Sequence, residues 1–553
     1  MKQLSVQRHI LFFLLLFINS FALGQTLPVG SPFFEERWRI LQLKGEKDAN
    51  ASFCIRPLIT LDSVYSVSAS GTRTSNTLKS GSFFKWLPFK STQQYNTHHP
   101  YGWNDGSMIP AKGYQHQFSG GIYSQWGPLT IQLRPEVVYA QNSDFRTFST
   151  HQTDSVWAAY YNTVLNLVDN PERFGNGRYV KVFPGQSSIR LNYKKLSLGV
   201  STENLWWGPG VRNSLLMSNN APGFGHLSFN TTSPVNSFIG AFEWQLIAGT
   251  LKGSGILPPD TGRTFEGQKL YNPKPGGDRY LNGMVITWQP KWIKGLHLGF
   301  SRVFYQYSNN IPHSLNGWLP VFGAMFKGHS LDESSFGRDQ LSSVFFRLRL
   351  PNEQAEVYVE YGRNDHSQNL DDLAMEPEHA RAYIIGGKKL FKNAKGTDIE
   401  LMMEVTQLQN PSTNTLRDSP TWYIHSLVKH GYTNYGQVVG AGIGPGSNSQ
   451  TIGLSWFKEK QQYGAFFERV VRNNDFYYAL FAGKHNFSSH WVDLSLNGHY
   501  SVIRKRWLYN GNLSWIYTYN YEWKYENGNS ALQNEGSTNV HNLHASLSIS
   551  YLF

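Results

Sequence analysis

The chain has 553 residues, 15% of them aromatic and 16% charged, with a formal net charge of +12 and one cysteine. One cysteine excludes an internal disulfide, and the basic balance is typical of a chain that meets acidic surfaces. Beyond the first 24 residues, no apolar run approaches the roughly 20 residues that a helix needs to cross a bilayer, so the sequence excludes a helical membrane protein.

Residues 1–24 have the pattern of a secretory signal peptide. Lys2 and Arg8 form a basic start, residues 10–18 are an unbroken apolar run, and Ala22-Leu23-Gly24 offers small residues for cleavage. We therefore expect an exported chain that starts at Gln25.

Residues 25–110 form an N-terminal segment with a predicted helical plug element. Ser31 and Pro32 are a favourable N-cap and first-turn pair, and Gly45 ends the helical pattern. Apolar residues follow the cap at helical spacing: Phe34, Trp38 and Leu41.

Residues 111–553 alternate between strands and tight turns, which predicts an all-β, transmembrane antiparallel β-barrel. Turns at Trp126-Gly127-Pro128 and Lys194-Lys195 each separate two alternating runs. The strand after Pro290 changes phase, from Leu296, Leu298, Phe300 to Val303, Tyr305, Tyr307, and we expect a β-bulge there. About 440 residues at roughly 25 per strand with its loop give about 18 strands.

A second helical stretch interrupts this pattern at about 154–170. One of its faces is apolar: Val156, Ala159, Tyr160, Val164 and Leu167. A barrel of this size has a lumen wide enough to hold helices as a plug, and a small periplasmic helical bundle is the alternative. Either arrangement argues against an open pore.

The last alternating run ends on an aromatic residue. Its apolar face consists of Leu543, Ala545, Leu547, Ile549, Tyr551 and Phe553. Such a closing strand is typical of outer-membrane barrels of Gram-negative bacteria. We therefore expect an outer-membrane protein that meets lipid and lipopolysaccharide and is recognised by the barrel-assembly machinery through Phe553.

Catalytic motifs of the common kinds are absent from the sequence, which has no G-x-S-x-G elbow, H-E-x-x-H pair or Walker P-loop. An acidic stretch could hold Ca²⁺ through oxygen ligands or form a solvated loop: Asp371, Asp372, Glu376 and Glu378. We expect no enzyme activity, no cofactor and no resident metal. Export also argues against nucleic acid as a partner.

The densest chemistry lies between Ser201 and Phe229, where Gly208-Pro209-Gly210 forces a tight turn directly after two tryptophans. Flat indole faces suit the C–H face of a sugar ring, while amides and guanidinium groups hydrogen-bond its polar groups. The candidate polysaccharide-binding residues are Glu203, Trp206, Trp207, Arg212, Asn213, Asn219 and Asn220. The alternative is a loop folded into the lumen, in which the tryptophans pack and the asparagines satisfy turn backbone.

Several motifs resemble the Wzi family of outer-membrane capsule-assembly proteins. They are Asn104–Gly113, Pro171–Gly175, Pro184–Ile189, Glu203–Gly210, Asn213–Pro222, Pro377–Tyr383 and His430–Thr433. The resemblance implies an 18-stranded barrel occluded by a helical bundle, with a lectin-like role in holding capsular polysaccharide on the cell surface. Val211-Arg212 departs from the enterobacterial pattern of the family, which has another tryptophan there. The longer chain and its distinctive C-terminal half are more similar to the Bacteroidetes branch.

These observations predict a plugged outer-membrane barrel that binds or anchors a surface polysaccharide, anionic in character, without catalysis. In this hypothesis Trp206 and Trp207 stack on sugar rings, and Arg212 offsets acidic sugar carboxylates. A porin-like channel is one alternative, and a structural component of a secretion or surface-assembly complex is another.

Overall fold

The computed structural model describes residues 25–46, 50–60, 83–323, 337–364, 370–392, 397–415, 417–481, 489–523 and 538–553. The expected signal peptide, residues 1–24, lies outside these ranges. Among the helices within them, none is both long and apolar enough to cross a membrane.

The strands, in chain order, are β1 (Gln25–Leu27), β2 (Ile55–Arg56), β3 (Leu58–Thr60), β4 (Phe83–Asn96), β5 (Gly113–Trp126), β6 (Leu129–Leu133), β7 (Glu136–Ala140), β8 (Tyr179–Phe183), β9 (Ser188–Tyr193), β10 (Leu196–Ser201), β11 (Trp206–Trp207), β12 (His226–Thr231), β13 (Val235–Ser237), β14 (Gly240–Leu251), β15 (Thr264–Phe265), β16 (Gln268–Lys269), β17 (Arg279–Pro290), β18 (Leu296–Tyr307), β19 (Arg338–Leu350), β20 (Ala355–Asn364), β21 (Arg381–Lys392), β22 (Asp398–Gln407), β23 (Thr433–Asn434), β24 (Gln437–Val438), β25 (Asn448–Lys458), β26 (Gln461–Val471), β27 (Val492–Arg504), β28 (Trp507–Tyr519) and β29 (Val540–Tyr551).

The α-helices are α1 (Pro32–Leu43), α2 (Asp154–Tyr160), α3 (Leu315–Trp318), α4 (Leu370–Met375) and α5 (Asn474–Phe481). A π turn at Tyr161–Leu165 continues α2. Short 3-10 turns lie at Ser308–Asn310, Pro320–Phe322, Ser412–Thr415 and Tyr521–Trp523.

The strands from β4 to β29, except β11, β15, β16, β23 and β24, pair antiparallel around a closed barrel. Its wall has 18 strands, because β6 and β7 act as one strand along β5, as do β8 and β9, and β12 and β13 along β14. The last strand closes the circle on β4, with Tyr551 opposite Phe89. The predicted antiparallel barrel of about 18 strands is confirmed.

The barrel wall begins earlier in the chain than the expected boundary at residue 111. β4 already pairs with both β5 and β29. Its alternation is disturbed by a register shift between Leu87 and Lys90, around Pro88. Because proline cannot donate a ladder hydrogen bond, strands accommodate it at such irregularities, and the broken alternation conceals the strand in the sequence.

Alternation gives the wall an apolar outer face. On β29, Leu543 and Leu547 are exposed, whereas Ser548 and Ser550 are buried. Exposed apolar side chains on one face are what a lipid-facing wall requires. Aromatic residues ring the end where the chain terminates: Trp86, Phe89, Tyr551 and Phe553.

The two ends of the barrel differ in the length of their connections. Short turns, such as 127–128 and 505–506, lie at the end where β4 begins and β29 ends. Long loops, including 141–178 and 408–447, lie at the opposite end. Outer-membrane barrels keep short turns in the periplasm and long loops outside the cell, so we call these the periplasmic and extracellular ends.

Chain segments outside the wall fill the lumen, and some of them are parts of extracellular loops that fold inward. They form what we call the plug: residues 25–46, 50–60, 202–225 and 418–447. Plug and wall share one hydrophobic core, in which Trp207, Leu215 and Tyr423 of the plug pack with Val303 and Tyr305 of β18. The lumen in this region is therefore packed with side chains, unlike the open lumen of a porin.

The phase change in β18 has its origin in this core. β18 pairs residue by residue with β17 and β19, so the expected β-bulge is wrong. Leu298 and Phe300 lie on the outer face, whereas Val303 and Tyr305 point inward, and the Tyr305 ring lies 5.2 Å from that of Tyr432. The strand is apolar outside near one end and apolar inside near the other because the plug covers it there.

Helix α1 closes the periplasmic end of the lumen, where its charged residues pair with the wall. The Glu356 carboxylate on β20 accepts hydrogen bonds from both Arg39 of α1 and Arg347 of β19. Lys388 on β21 lies 2.6 Å from Glu36 of α1. Buried ion pairs of this kind fix position more than they add stability, so α1 has one register in the barrel.

Helix α2 lies at the extracellular end, in the loop between β7 and β8. Together with α5 it forms a small aromatic core that we call the cap: Phe148, Trp157, Tyr160, Tyr161, Phe476, Tyr477 and Trp523. The two predicted helices therefore lie at opposite ends of the barrel. The α2 helix belongs neither to the lumen nor to a periplasmic bundle.

Candidate functional site

The seven residues that the sequence singled out all lie in or beside loop 202–225, inside the barrel. Glu203 is fully buried and lies 2.8 Å from the Arg190 guanidinium on β9. It also accepts hydrogen bonds from Ser201, at 3.0 Å, and Thr26. Burial alone would raise the pKa of Glu203, but Arg190 and these hydrogen bonds hold it below its usual range.

The tryptophan pair forms strand β11, which pairs with β2 of the plug. Trp207 is 0% exposed, and its indole N–H donates to Gln245 Oε1 at 2.8 Å. Trp206 is also buried, with the Arg56 guanidinium 4.4 Å from its ring centroid. Both indole faces are therefore covered by protein, as the lumen-loop alternative requires.

Arg212 makes a two-pronged ion pair with Glu468 on β26. Its Nε and Nη2 donate to the two carboxylate oxygens at 3.1 and 3.0 Å. The guanidinium also lies over the rings of Trp103 and Phe466. Burial opposes the charge of Arg212, but Glu468 raises its pKa above the ordinary value.

The three asparagines bond to neighbouring parts of the protein, Asn219 and Asn220 to backbone and Asn213 to a side chain. Asn213 donates to Thr406 Oγ1 at 3.2 Å, Asn219 to the Asn104 carbonyl at 2.7 Å, and Asn220 to the Val438 carbonyl at 2.9 Å. Glu404 of β22 accepts backbone N–H donors from residues 211–213. The structure thus brings all seven predicted residues together within the plug, and their contact with a polysaccharide stays a prediction.

An open cleft lies at the extracellular end, between the loop that follows α2 and the loop that follows β14. It has a volume of about 820 Å³ and is lined by residues from 169–176 and 255–262, with Phe145 and Lys274. This volume lies within the roughly 300–1,000 Å³ of ligand pockets. We call it the extracellular cleft.

Most charged groups of the extracellular cleft are already paired within the protein. Asp169 accepts from the backbone N–H and hydroxyl of Ser254, each at 2.6 Å. Glu172 accepts from the Phe148 N–H at 2.9 Å, and burial raises its pKa. Burial likewise lowers the pKa of Lys274, which donates to the Leu165 carbonyl. Fixed charges of both signs therefore nearly balance along the walls.

The accessible groups of the cleft are amides, apolar surfaces and the Asp260 carboxylate, which lies 3.7 Å from Arg263. Asn170 and Asn176 are exposed, as are Leu257 and Pro259. Planar amides beside flat apolar surfaces are suited to a neutral polar ligand with C–H faces, such as a sugar. The sequence carried one sign of this site, the Pro171–Gly175 motif, but no property of that motif alone marked it as a binding surface.

Two of the four acidic side chains that could hold Ca²⁺ pair with arginines. Glu376 lies 2.7 Å from Arg417, and Glu378 lies 3.0 Å from Arg381. Within the described ranges, no group of three or more His, Cys, Asp or Glu side chains is arranged to hold a metal ion.

Comparisons with known proteins agree with this architecture. The family model described as capsule assembly protein Wzi matches residues 92–534. A search of curated protein sequences finds no match.

Among solved structures, the chain is similar to Wzi of Escherichia coli, described as an outer-membrane, carbohydrate-binding β-barrel involved in group 1 capsule assembly. The identity is 14% and the TM-score 0.61, over 96% of this chain and 99% of that one. OccAB3 of Acinetobacter baumannii matches at 9% identity and a TM-score of 0.41, over 85% and 99% of the two chains. The barrel, its outer-membrane setting and the extent of the family match lead to one conclusion: this chain belongs to the Wzi family of capsule assembly proteins.

Proposed function

We propose that this protein holds a capsular or other extracellular polysaccharide at the cell surface, as a lectin-like barrel without catalytic activity. The E. coli relative is described as carbohydrate-binding, and the same broad class of ligand fits the chemistry of the extracellular cleft. The proposal assigns the ligand to the outer surface of the barrel rather than to its lumen.

The packed lumen is the observation that carries this proposal. Helix α1 is tied to the wall by the Arg39, Glu356 and Arg347 network, and Trp207, Leu215 and Tyr423 complete a buried core above it. A barrel filled in this way has little room for a diffusing solute. The surface of its extracellular loops is accessible to a ligand.

The extracellular cleft provides a place for one or a few sugar units of a long polymer. Its exposed Asn170 and Asn176 can donate to and accept from hydroxyls, while Leu257 and Phe145 offer apolar contact. A shallow, mostly polar site binds each unit weakly, but a repeating polymer engages many barrels at once and gains avidity.

In this proposal, the seven residues predicted from the sequence also have a structural role. Glu203, Trp207 and Asn213 support the loop that closes the lumen. Direct contact with polysaccharide is tested by Trp206→Ala combined with Arg212→Ala. If the inserted double variant holds the polymer as wild type does, these residues act only through the plug. The anionic character of the polymer is tested by the dependence of binding on salt.

The proposal is tested first in a deletion strain, by comparing cell-bound with released polysaccharide at equal total synthesis. We expect loss of the protein to move polymer from the bound to the released fraction, and complementation to restore it. An unchanged ratio would contradict the proposal.

Two further measurements separate the alternatives. A porin-like channel would give stable conductance in planar bilayers, whereas a packed lumen gives almost none. A structural component of an assembly complex would co-purify with stoichiometric protein partners and without glycan.

A further inference from the structure

Arginines lie on the outer face of the wall, where lipid is expected. Arg302, Arg363 and Arg381 belong to β18, β20 and β21, and Ser342 of β19 completes their row. The register is continuous: Arg302 lies opposite Ser342, Ser342 opposite Arg363, and Arg363 opposite Arg381. We call these four residues the arginine row.

Alternation along each strand fixes the outward direction of the row. Val344, Val357 and Ile385 share the faces of Ser342, Arg363 and Arg381, and all three are exposed on the lipid-facing side. The arginine row lies on the extracellular side of these residues. It therefore occupies the border between the apolar belt and the head-group region of the outer leaflet.

A loop segment outside the barrel indicates the same depth of the arginine row in the membrane. Residues 308–323, which we call the strap, lie against the outer wall: the Val321 N–H donates to Asn282 at 3.3 Å, and Arg302 donates to the Gly323 carbonyl at 3.2 Å. The strap exposes large apolar side chains: Leu315, Trp318 and Phe322. Such side chains beside a lipid-facing wall are suited to the acyl region of the leaflet.

Arg363 differs from the other arginines of the row because two of its hydrogen-bond donors have no partner in the described part of the chain. It is 7% exposed, and its Nε and Nη1 have no hydrogen-bond partner among the residues that the structure describes. Its neighbours are satisfied: Arg381 donates to Glu378 at 3.0 Å and to the Gln409 carbonyl at 2.8 Å, and Arg302 donates to Gln340 at 2.7 Å.

A bound anion would remove two physical costs at the arginine row. Like charges directly opposite on adjacent strands, as Arg363 and Arg381 are, repel each other. A buried donor without an acceptor loses its hydration without compensation. One group with several oxygen acceptors and negative charge, placed beside Arg363, would remove both costs.

We propose that the arginine row binds the phosphate of a phosphorylated glycolipid of the outer leaflet, of the lipopolysaccharide class. Phosphate oxygens accept strong, charge-assisted hydrogen bonds from a guanidinium, and Arg363 Nε and Nη1 are two donors that such oxygens would satisfy. The Ser342 hydroxyl and the charge of Arg381 complete the site. The strap and the apolar belt contact the acyl chains of the same lipid.

The test uses the full-length barrel in detergent, examined by native mass spectrometry with added bis-phosphorylated lipid A or its dephosphorylated form. We expect wild type to retain the phosphorylated lipid at least tenfold better than Arg363→Gln. The control Arg504→Gln removes an exposed arginine at the periplasmic end and should retain the lipid as wild type does. Folding of each variant is checked by heat-modifiable gel mobility.

Equal retention by wild type and Arg363→Gln would overturn the proposal, as would equal retention of the two lipid forms. Displacement of the lipid by inorganic phosphate alone would assign the site to free phosphate rather than to lipid, and would also overturn it. Arg363→Lys keeps the charge but replaces the several guanidinium donors by one ammonium group, so it should bind with intermediate strength. This variant keeps the test valid if Arg363→Gln does not fold.

Discussion

The plug and the extracellular cleft contain similar side chains, but most of those in the plug are buried and those in the cleft are exposed. In the plug, Trp207, Asn213 and Glu203 are buried and Arg212 is partly buried, and their polar groups bond mainly to the protein itself. Glu203 pairs with Arg190, and Arg212 pairs with Glu468. In the cleft, the amides Asn170 and Asn176 and the Asp260 carboxylate are exposed beside prolines. The region with the stronger sequence signal is the one that is closed.

This difference shows what a dense polar and aromatic motif means inside a large barrel. A chain segment that crosses the lumen must bury its backbone far from water, and every buried polar group then needs a partner. Paired tryptophans, Gly-Pro-Gly turns and asparagines supply these partners. The same composition that suits a sugar therefore also suits a plug.

The largest expected effect comes from the charged network that fixes helix α1. Glu356→Ala leaves Arg39 and Arg347 buried without their carboxylate and should lower the free energy of unfolding by about 3–5 kcal/mol. Urea unfolding in lipid vesicles measures this loss. Glu353→Ala is the matched control, since Glu353 is exposed on the adjacent turn. Equal stability of the two variants would show that α1 does not depend on this network.

A smaller loss is expected within the plug core. Trp207→Phe removes the hydrogen bond to Gln245 and part of the buried ring, and should lower stability by about 1–3 kcal/mol. The same substitution at Trp292, which is exposed at a periplasmic turn, should change little. A Trp207 variant as stable as the Trp292 variant would contradict the packed lumen.

A pH effect is expected at Asp105, in an extracellular loop, where burial raises the pKa to about 6. The folded state then binds this proton more tightly than the unfolded chain, whose aspartates titrate near pH 3.9. Stability should therefore fall as pH rises from about 4 to 6. Asp105→Asn should flatten that slope in thermal unfolding, whereas Asp278→Asn, in an exposed loop, should keep it. A slope that persists in Asp105→Asn would be contrary to this account.

The smallest effect on stability is expected in the cleft. Asn170→Ala combined with Asn176→Ala removes exposed amides and should shift the free energy of unfolding by no more than about 0.5 kcal/mol per site. Urea unfolding beside wild type measures this shift. A loss as large as that of Glu356→Ala would show that the cleft supports the fold rather than a ligand.

The barrel could be predicted from the sequence because alternation is a local property of each strand. Alternation is not a sufficient guide in β18. Its inner face carries the apolar residues Val303 and Tyr305 because Tyr432, distant in the chain, packs in the same core. Likewise, Pro88 concealed β4 from the alternation pattern.

The site was harder to predict, because the extracellular cleft is formed by loops that are far apart in the chain. Asn170 and Pro259 meet only through the packing of α2 and its neighbours. Neither carries a local sign of binding. Trp206 and Arg212 have such a sign, but whether they contact a partner of the protein or only the protein itself depends on the fold.

The most direct test of the account is the affinity of purified surface polysaccharide for the barrel in detergent, measured for wild type, for Asn170→Ala with Asn176→Ala, and for Asn310→Ala as an exposed control. The account predicts that the cleft variant binds roughly tenfold more weakly, from two lost hydrogen bonds, and that the control binds as wild type does. Undiminished binding by a correctly folded cleft variant would contradict it.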